Sequence, residues 1–367
     1  MHSFAQQMRI GVLRDYKVSR VNFSHFKGDY NVYADTTFIG KLEQFQFVEL
    51  QLSGGKIKLA YNTIDKGTFA KITIKSDNPE AAIIVQSKIP AARERKYEDA
   101  FEVKVVDGRM AIVNLVSMED YLAGVIESEG GGGQHLEYYK VQALMSRTYA
   151  LKNQTRHKKE GFELCDGVHC QAYHSMMRYT PDIREAVIAT KGEVIVDEND
   201  QMVATYFSAN CGGQVCDAAY VWNNSVPYVE SFLDTFCIHT KQAQWTTRIS
   251  QEKWRRFLVN RYGYPIHDSV IGPMIFYFEQ EQRKAFYIHP SLGIPLRDLR
   301  EQFNLKSTFF SVHPEGQDVV LEGRGFGHGV GLCQEGAMKM ARSHYNYRQI
   351  ALFYFSQVRI MTMVEDP

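Results

Sequence analysis

The sequence predicts an α+β protein, with a β-rich N-terminal region over residues 1–100 packed on a mixed helix and strand domain over residues 101–367. Three observations lead there. Short alternating apolar runs fill residues 8–116 and are broken at Gly54-Gly55, Asp65-Lys66-Gly67 and Asp107-Gly108, and such alternation between turn residues marks half-buried strands. The period then changes. Met118, Tyr121, Leu122, Val125 and Ile126 recur at helical spacing, as do Leu136, Val141, Leu144, Met145, Thr148 and Leu151. Beyond them strand-like and helix-like segments mix, a pattern that belongs to α+β layering.

The elements follow in order. Strands are expected at residues 30–33, 45–50, 57–60, 70–74 and 101–106, and Asp107-Gly108 between 103–105 and 110–113 is the clearest hairpin. Its second strand runs straight into the helix at 118–126. Thr180 at an N-cap, Pro181 in the first turn and Gly192 past the end frame another helix. Residues 194–196 and 202–207 read as a hairpin, and 251–262 as an amphipathic helix through Trp254, Phe257 and Leu258. Strands return between 271 and 322 around a helix-like piece at 296–303, and 334–355 is helical.

Composition narrows the function classes. The 367 residues are 44% hydrophobic and 23% charged, enough to bury a large core. Lys plus Arg and Asp plus Glu number 42 each, so no net field favours nucleic acid or an anionic membrane. No run approaches the roughly 20 apolar residues of a membrane span. Residues 1–7 lack the charged and apolar regions of a signal peptide, while Ser3-Phe4-Ala5 would suit the end of one already removed. Six cysteines fix no compartment.

Glu129 sits where the first helical pattern meets Gly130, Gly131, Gly132 and Gly133, a run that ends helices and leaves open backbone beside the carboxylate. A solvated loop glutamate would look the same from spacing alone. Cys165, His169, Cys170 and His174, with His157 upstream, have metal-ligand types at metal-like spacing. Disulfides among Cys165, Cys170, Cys211, Cys216 and Cys237 are the alternative. Residues 323–334 place glycines at alternate positions around Arg324, Phe326, His328 and Val330, and the pattern fails as a phosphate loop. Alternating glycines in a strand mark close approach of a backbone or ligand, here read as a floor for a sugar strand. His328 is either a hydrogen-bonded structural histidine or a group that orients acid or substrate. Ser208 lacks a nucleophile elbow.

Residues 117–151 resemble the signature of the sporulation stage II protein D family, the SpoIID/LytB domain. The residues that carry the resemblance are Met118, Tyr121, Leu122, Gly124, Val125, Ile126 and Glu129, then Gln142, Ala143, Arg147, Thr148, Tyr149 and Ala150. Residues 165–173, 206–213 with Val221-Trp222, and 323–337 continue it in the same order. The resemblance implies a SpoIID-type catalytic domain acting as a lytic transglycosylase on peptidoglycan glycan strands, with Glu129 as general acid and base. It implies substrate contacts from Arg147, Tyr206, Ser208, Arg324, His328 and Gln334. It also implies zinc on Cys165, His169 and Cys170, with His157 and His174 both open as the fourth ligand. Metal there is expected to tie this loop to the sheet that carries Cys211. The implied setting is extracytoplasmic, with another cell-wall hydrolase as a possible partner. A glycan-binding module or amidase activator is the rival reading, and a zinc-dependent amidase a third. The sequence departs from the family at Gly130-Gly131, where Met-Pro is usual, and at Cys333, where serine is usual.

Overall fold

Most strands over residues 7–117 bury alternate side chains, and this alternation builds two sheets in a computed structural model that describes residues 7–174 and 181–363. The strands are β1 (Gln7–Gly11), β2 (Arg20–Lys27), β3 (Tyr30–Ala34), β4 (Thr37–Leu42), β5 (Phe47–Ser53), β6 (Lys56–Tyr61), β7 (Ile64–Phe69), β8 (Lys71–Lys75), β9 (Ala82–Ile89), β10 (Arg95–Glu98), β11 (Ala100–Val106) and β12 (Arg109–Ser117). One sheet runs β10-β9-β2-β5-β6-β7. The other runs β1-β12-β11-β8-β3-β4, with the short β13 (Leu164–Cys165) added in parallel beside β1.

Rings lock the sheets together. Phe23 of β2 and Tyr97 of β10 meet Phe101 of β11 edge-on at 5.2 and 5.7 Å, all fully buried, and burying such a ring is worth about 1.5–3 kcal/mol. Asp107 and Gly108 both take positive φ, 48° and 73°, as the expected two-residue hairpin requires. Residue 100, where the sequence places the change of region, is the first residue of β11.

The β12 strand ends in a helix cap. Ser117 Oγ accepts the Asp120 N–H at 3.1 Å and starts α1 (Met118–Gly130), a contact typically worth ~1 kcal/mol. The helix runs one turn further than its apolar periodicity and ends at Gly131, φ 64°. Next come α2 (Leu136–Lys152) and α3 (Pro181–Ala189). Thr180, the expected N-cap of α3, lies outside the described residues, as does the start of the chain through residue 6. All of this belongs to one compact unit, Met1–Val194 with Met361–Pro367.

The chain passes into a second unit, Ile195–Ile360, within β14 (Glu193–Val196). Its elements are β15 (Phe207–Ser208), α4 (Ala219–Trp222), β16 (Gln244–Ser250), α5 (Gln251–Tyr262), α6 (Leu296–Gln302), β17 (Phe310–Glu315), β18 (Asp318–Arg324), β19 (Leu332–Cys333), α7 (Gln334–Arg342) and α8 (Tyr347–Tyr354). The antiparallel sheet β16-β18-β17 carries α5, whose Trp254 is fully buried with its indole N–H on Ile275 O at 2.9 Å. The short β20 (Arg359–Thr362) returns the chain to the first unit. Among the described residues no helix is long and apolar enough to cross a membrane. The fold is α+β.

Four sequence expectations change in detail. The hairpin at 194–207 shrinks to one bridge, Val196 with Met202, because residues 207–208 pair with β19 instead. Much of 271–309 is irregular or in short 3-10 turns rather than strand. The final helix is two, since His344 at φ 65° breaks it and Asn346 opens α8 with a capping box. Finally, Gly325, Gly327, Gly329 and Gly331 all take positive φ between 70° and 105°, so their segment is not a strand.

Candidate active site and cysteine clusters

Glu129 lies in the last turn of α1, half-buried, and its Oε1 accepts the Ala172 N–H at 2.8 Å. Burial raises the pKa of the carboxyl, and the Ala172 N–H pulls it partly back. The C-terminal end of a helix, with its partial negative charge, is also a poor place for a carboxylate. The acid therefore holds its proton more tightly than an exposed glutamate, through its surroundings rather than through a neighbouring charge. Among the described residues no other hydrogen bond reaches the carboxyl.

The loop that supplies Ala172 is fixed at several points. His174 N–H donates to Ser128 Oγ at 3.0 Å, and Tyr121 donates its hydroxyl to Gln171 Oε1 at 3.1 Å. Tyr173 packs on Gly124, where a Cβ would fall 2.4 Å from the ring, and bonds Asn114 at 2.9 Å. Gly124 thus makes room for the residue that anchors the loop. On the other side of the acid, the Tyr139 hydroxyl donates to Gly131 O at 3.0 Å and accepts the Gln134 N–H at 2.9 Å, spanning the glycine run.

The same loop begins with metal-ligand residues. One donor atom each from His157, Cys165, His169 and Cys170 lie within 4.8 Å of one another. Cys170 Sγ is 3.4 Å from His157 Nε2 and 3.7 Å from His169 Nδ1. Two sulfurs and two imidazole nitrogens converging in this way suit a tetrahedral zinc ion. His157 Nδ1 lies 2.6 Å from Glu160 Oε1. Arg14 holds Glu160 well below the usual carboxylate range, so Glu160 accepts the Nδ1 proton and leaves the Nε2 lone pair facing the cysteines. Such a carboxylate behind the histidine is a common outer partner of zinc ligands. Of the two histidines left open as the fourth member, His157 converges with the other three and His174 is not in the group.

The remaining expected contacts divide. Arg147 is 2% exposed and gives its guanidinium to the carbonyls of Thr190 at 2.6 Å and Val187 at 3.2 Å. It caps the end of α3, so the expected substrate contact is corrected to a structural one. Ser208 is buried, accepting the Gly329 N–H at 3.2 Å. Arg324 bonds Gln280 O and covers the Phe309 ring at 3.7 Å. Gln334 opens α7, buried, with Nε2 lacking a partner among the described residues.

Tyr206 and His328 do come together, on either side of Trp222, which was not among the expected substrate contacts. Trp222 stacks on Tyr206 at 4.6 Å and meets His328 at 5.1 Å, while remaining 44% exposed. His328 Nδ1 accepts the Val330 N–H at 3.0 Å, and burial lowers its pKa to about 4. The ring is neutral near pH 7, with its proton on Nε2. The glycines around it serve the protein itself: a Cβ at Gly331 would lie 2.2 Å from Tyr206 O, and one at Gly325 2.6 Å from Asn210 O. The backbone that approaches this run is the chain's own, which corrects the sugar-floor reading.

All six cysteines are free, so the expected disulfide alternative is not what the structure holds. Cys211 converges with Asp234, Cys237 and Cys333 in a separate buried cluster rather than with the loop after α2.

Residues 106–196, which carry Glu129 and the first cluster, match the SpoIID family model, described as Stage II sporulation protein. An uncharacterized protein of Brachyspira hyodysenteriae is 30% identical over 257 residues, 69% of this chain and 68% of that one. Stage II sporulation protein D of Bacillus subtilis is 25% identical over 77% of this chain and 88% of its own. The amidase enhancer of the same organism is 26% identical over 64% of this chain and 39% of its own. With the helix-corner acid, the glycine run and the Cys-His loop all inside the matched segment, the chain belongs to the SpoIID family.

Proposed function

We propose that the protein is a cell-wall enzyme of the extracytoplasmic space, a lytic transglycosylase that cleaves peptidoglycan glycan strands with Glu129 as its acid and base. The observation that carries this reading is the environment of Glu129: a carboxyl at a helix corner, its pKa raised by burial, with one oxygen held by Ala172 and exposed glycines beside it. Protonated Glu129 gives its proton to the leaving glycosidic oxygen. The same carboxylate then takes the proton of the sugar's 6-hydroxyl as that oxygen attacks the anomeric carbon. The bond to the leaving sugar breaks, a 1,6-anhydro ring forms, and water is not consumed. One carboxyl suffices, whereas hydrolases place a second about 5–9.5 Å away.

Zinc on His157, Cys165, His169 and Cys170 would supply a structural cross-link. The chain's own part is to hold the loop from which Ala172 reaches Glu129. In this reading the exposed Trp222, with Tyr206 and His328, offers an apolar ring face of the kind sugars stack on. The likeness to a protein named amidase enhancer favours a second reading, a glycan-binding activator of a cell-wall amidase. Digestion of purified glycan strands decides between them. Products lighter by one water than hydrolytic ends support cleavage by Glu129; intact strands, with a stimulated amidase, support the activator.

A further inference from the structure

The second cluster stands apart from everything the glycan chemistry uses. Cys211, Asp234, Cys237 and Cys333 are all fully buried, and one donor atom from each lies within 4.8 Å of the others. Cys211 Sγ is 3.3 Å from Asp234 Oδ2 and 3.4 Å from Cys237 Sγ. These edges are close to those of a tetrahedron around an ion with metal to sulfur bonds of about 2.3 Å, which come to roughly 3.8 Å.

Three further features point the same way. Cys333 Sγ accepts two backbone N–H groups, from Cys211 at 3.3 Å and Gly336 at 3.4 Å, which fix the sulfur facing the other three side chains. Asp234 is surrounded by neutral donors, the Phe236 N–H and Tyr354 hydroxyl at 2.9 Å each and the Cys211 thiol. The guanidinium of Arg283 is engaged by carbonyls, Cys211 O at 2.6 Å and Gln214 O at 2.8 Å. Buried anionic ligands without a paired cation are costly unless a metal or a proton neutralises them. A disulfide between Cys211 and Cys237 would leave both Cys333 and Asp234 unexplained.

We propose that Cys211, Cys237, Cys333 and Asp234 form a second metal site, which takes a thiophilic divalent cation of the zinc class. Binding releases the thiol protons, and the dication offsets part of the charge left on the four ligands. The ion joins the segment after β15, the loop at 234–237 and the start of α7. The proposal does not depend on the role of Glu129.

The test is zinc content of the full chain purified under reducing conditions without chelator, beside Cys170→Ser and Cys237→Ser. The expected result is zinc that survives Cys170→Ser and is lost with Cys237→Ser, together with a lower melting temperature. Zinc unchanged by Cys237→Ser, or a Cys211–Cys237 disulfide found by mass mapping, overturns the proposal. Should Cys237→Ser fail to fold, X-ray absorption of wild-type zinc decides. The first cluster offers only two sulfurs and the second three, so an average above two supports the second site and a value of two or less rules it out.

Discussion

The Ala172 N–H and Glu129 Oε1, 2.8 Å apart, join the end of a helix to the end of a Cys-His loop. Protonation of the acid and order in the loop are thereby linked, and the linkage can be measured.

Glu129→Gln keeps the shape of the side chain and its bond to Ala172 but can neither give nor take the proton. Glycan cleavage should fall by about 10² to 10⁴, the usual worth of general acid-base catalysis, with binding and melting temperature nearly unchanged. Glu127→Gln should lose far less. Wild-type turnover in Glu129→Gln would remove the residue from the mechanism.

The pH profile should follow the sign of the shift. Burial raises the Glu129 pKa above its ordinary 4.5, and the step needs the protonated acid first. The rate should therefore hold up past pH 4.5 and decline as pH rises through the raised value. A decline already complete at the pKa of an exposed glutamate would contradict the burial argument.

Metal removal should act on both stability and rate. Cys170→Ser or a strong chelator would loosen residues 165–174, which contain the donor to Glu129 and Tyr173 on Gly124. A drop in melting temperature with lost cleavage is expected, because metal that binds only the folded chain stabilises it by mass action. Calorimetry with and without chelator reads the effect.

Arg147→Ala tests the corrected role. Removing the guanidinium leaves the carbonyls of Thr190 and Val187 without their buried charged donor, and hydrogen bonds to charged groups are worth about 1.5–3 kcal/mol each. Denaturant unfolding should show a loss of several kcal/mol. A stably folded Arg147→Ala that has lost only glycan affinity would restore the substrate role.

Glu98 offers a pH test of stability alone. Burial, with Asp120 close by, raises its pKa to about 7 despite Arg184. A carboxyl that binds its proton more tightly when folded contributes stability below pH 4.5 and loses it as pH rises toward 7. Glu98→Gln should flatten that slope, which thermal melts between pH 4 and 8 would show.

How much of this was legible depended on the range of the interaction. Helices α1, α2 and α5 and the Asp107-Gly108 hairpin follow from spacing within one segment, and so does the convergence of Cys165, His169 and Cys170. Glu160 and Arg14 behind His157 were not legible, since Arg14 lies on a distant stretch of chain and neither matches a ligand pattern. Asp234 was missed for the same reason: its partners Cys211, Cys333 and Tyr354 meet it only in the fold. Arg147 misled because an arginine inside a motif reads as a contact until its burial is known. The glycine run at 325–331 signalled close approach correctly, but the approaching backbone, residues 206–212, could not be named from spacing.

The Tyr139 hydroxyl, bonded to Gly131 O and Gln134 N, gives the glycine run beside Glu129 a crossbar. Four glycines in a row would ordinarily act as a hinge. Braced in this way, the run is tied at two points to one side chain of α2, and swinging it open would cost both of those hydrogen bonds.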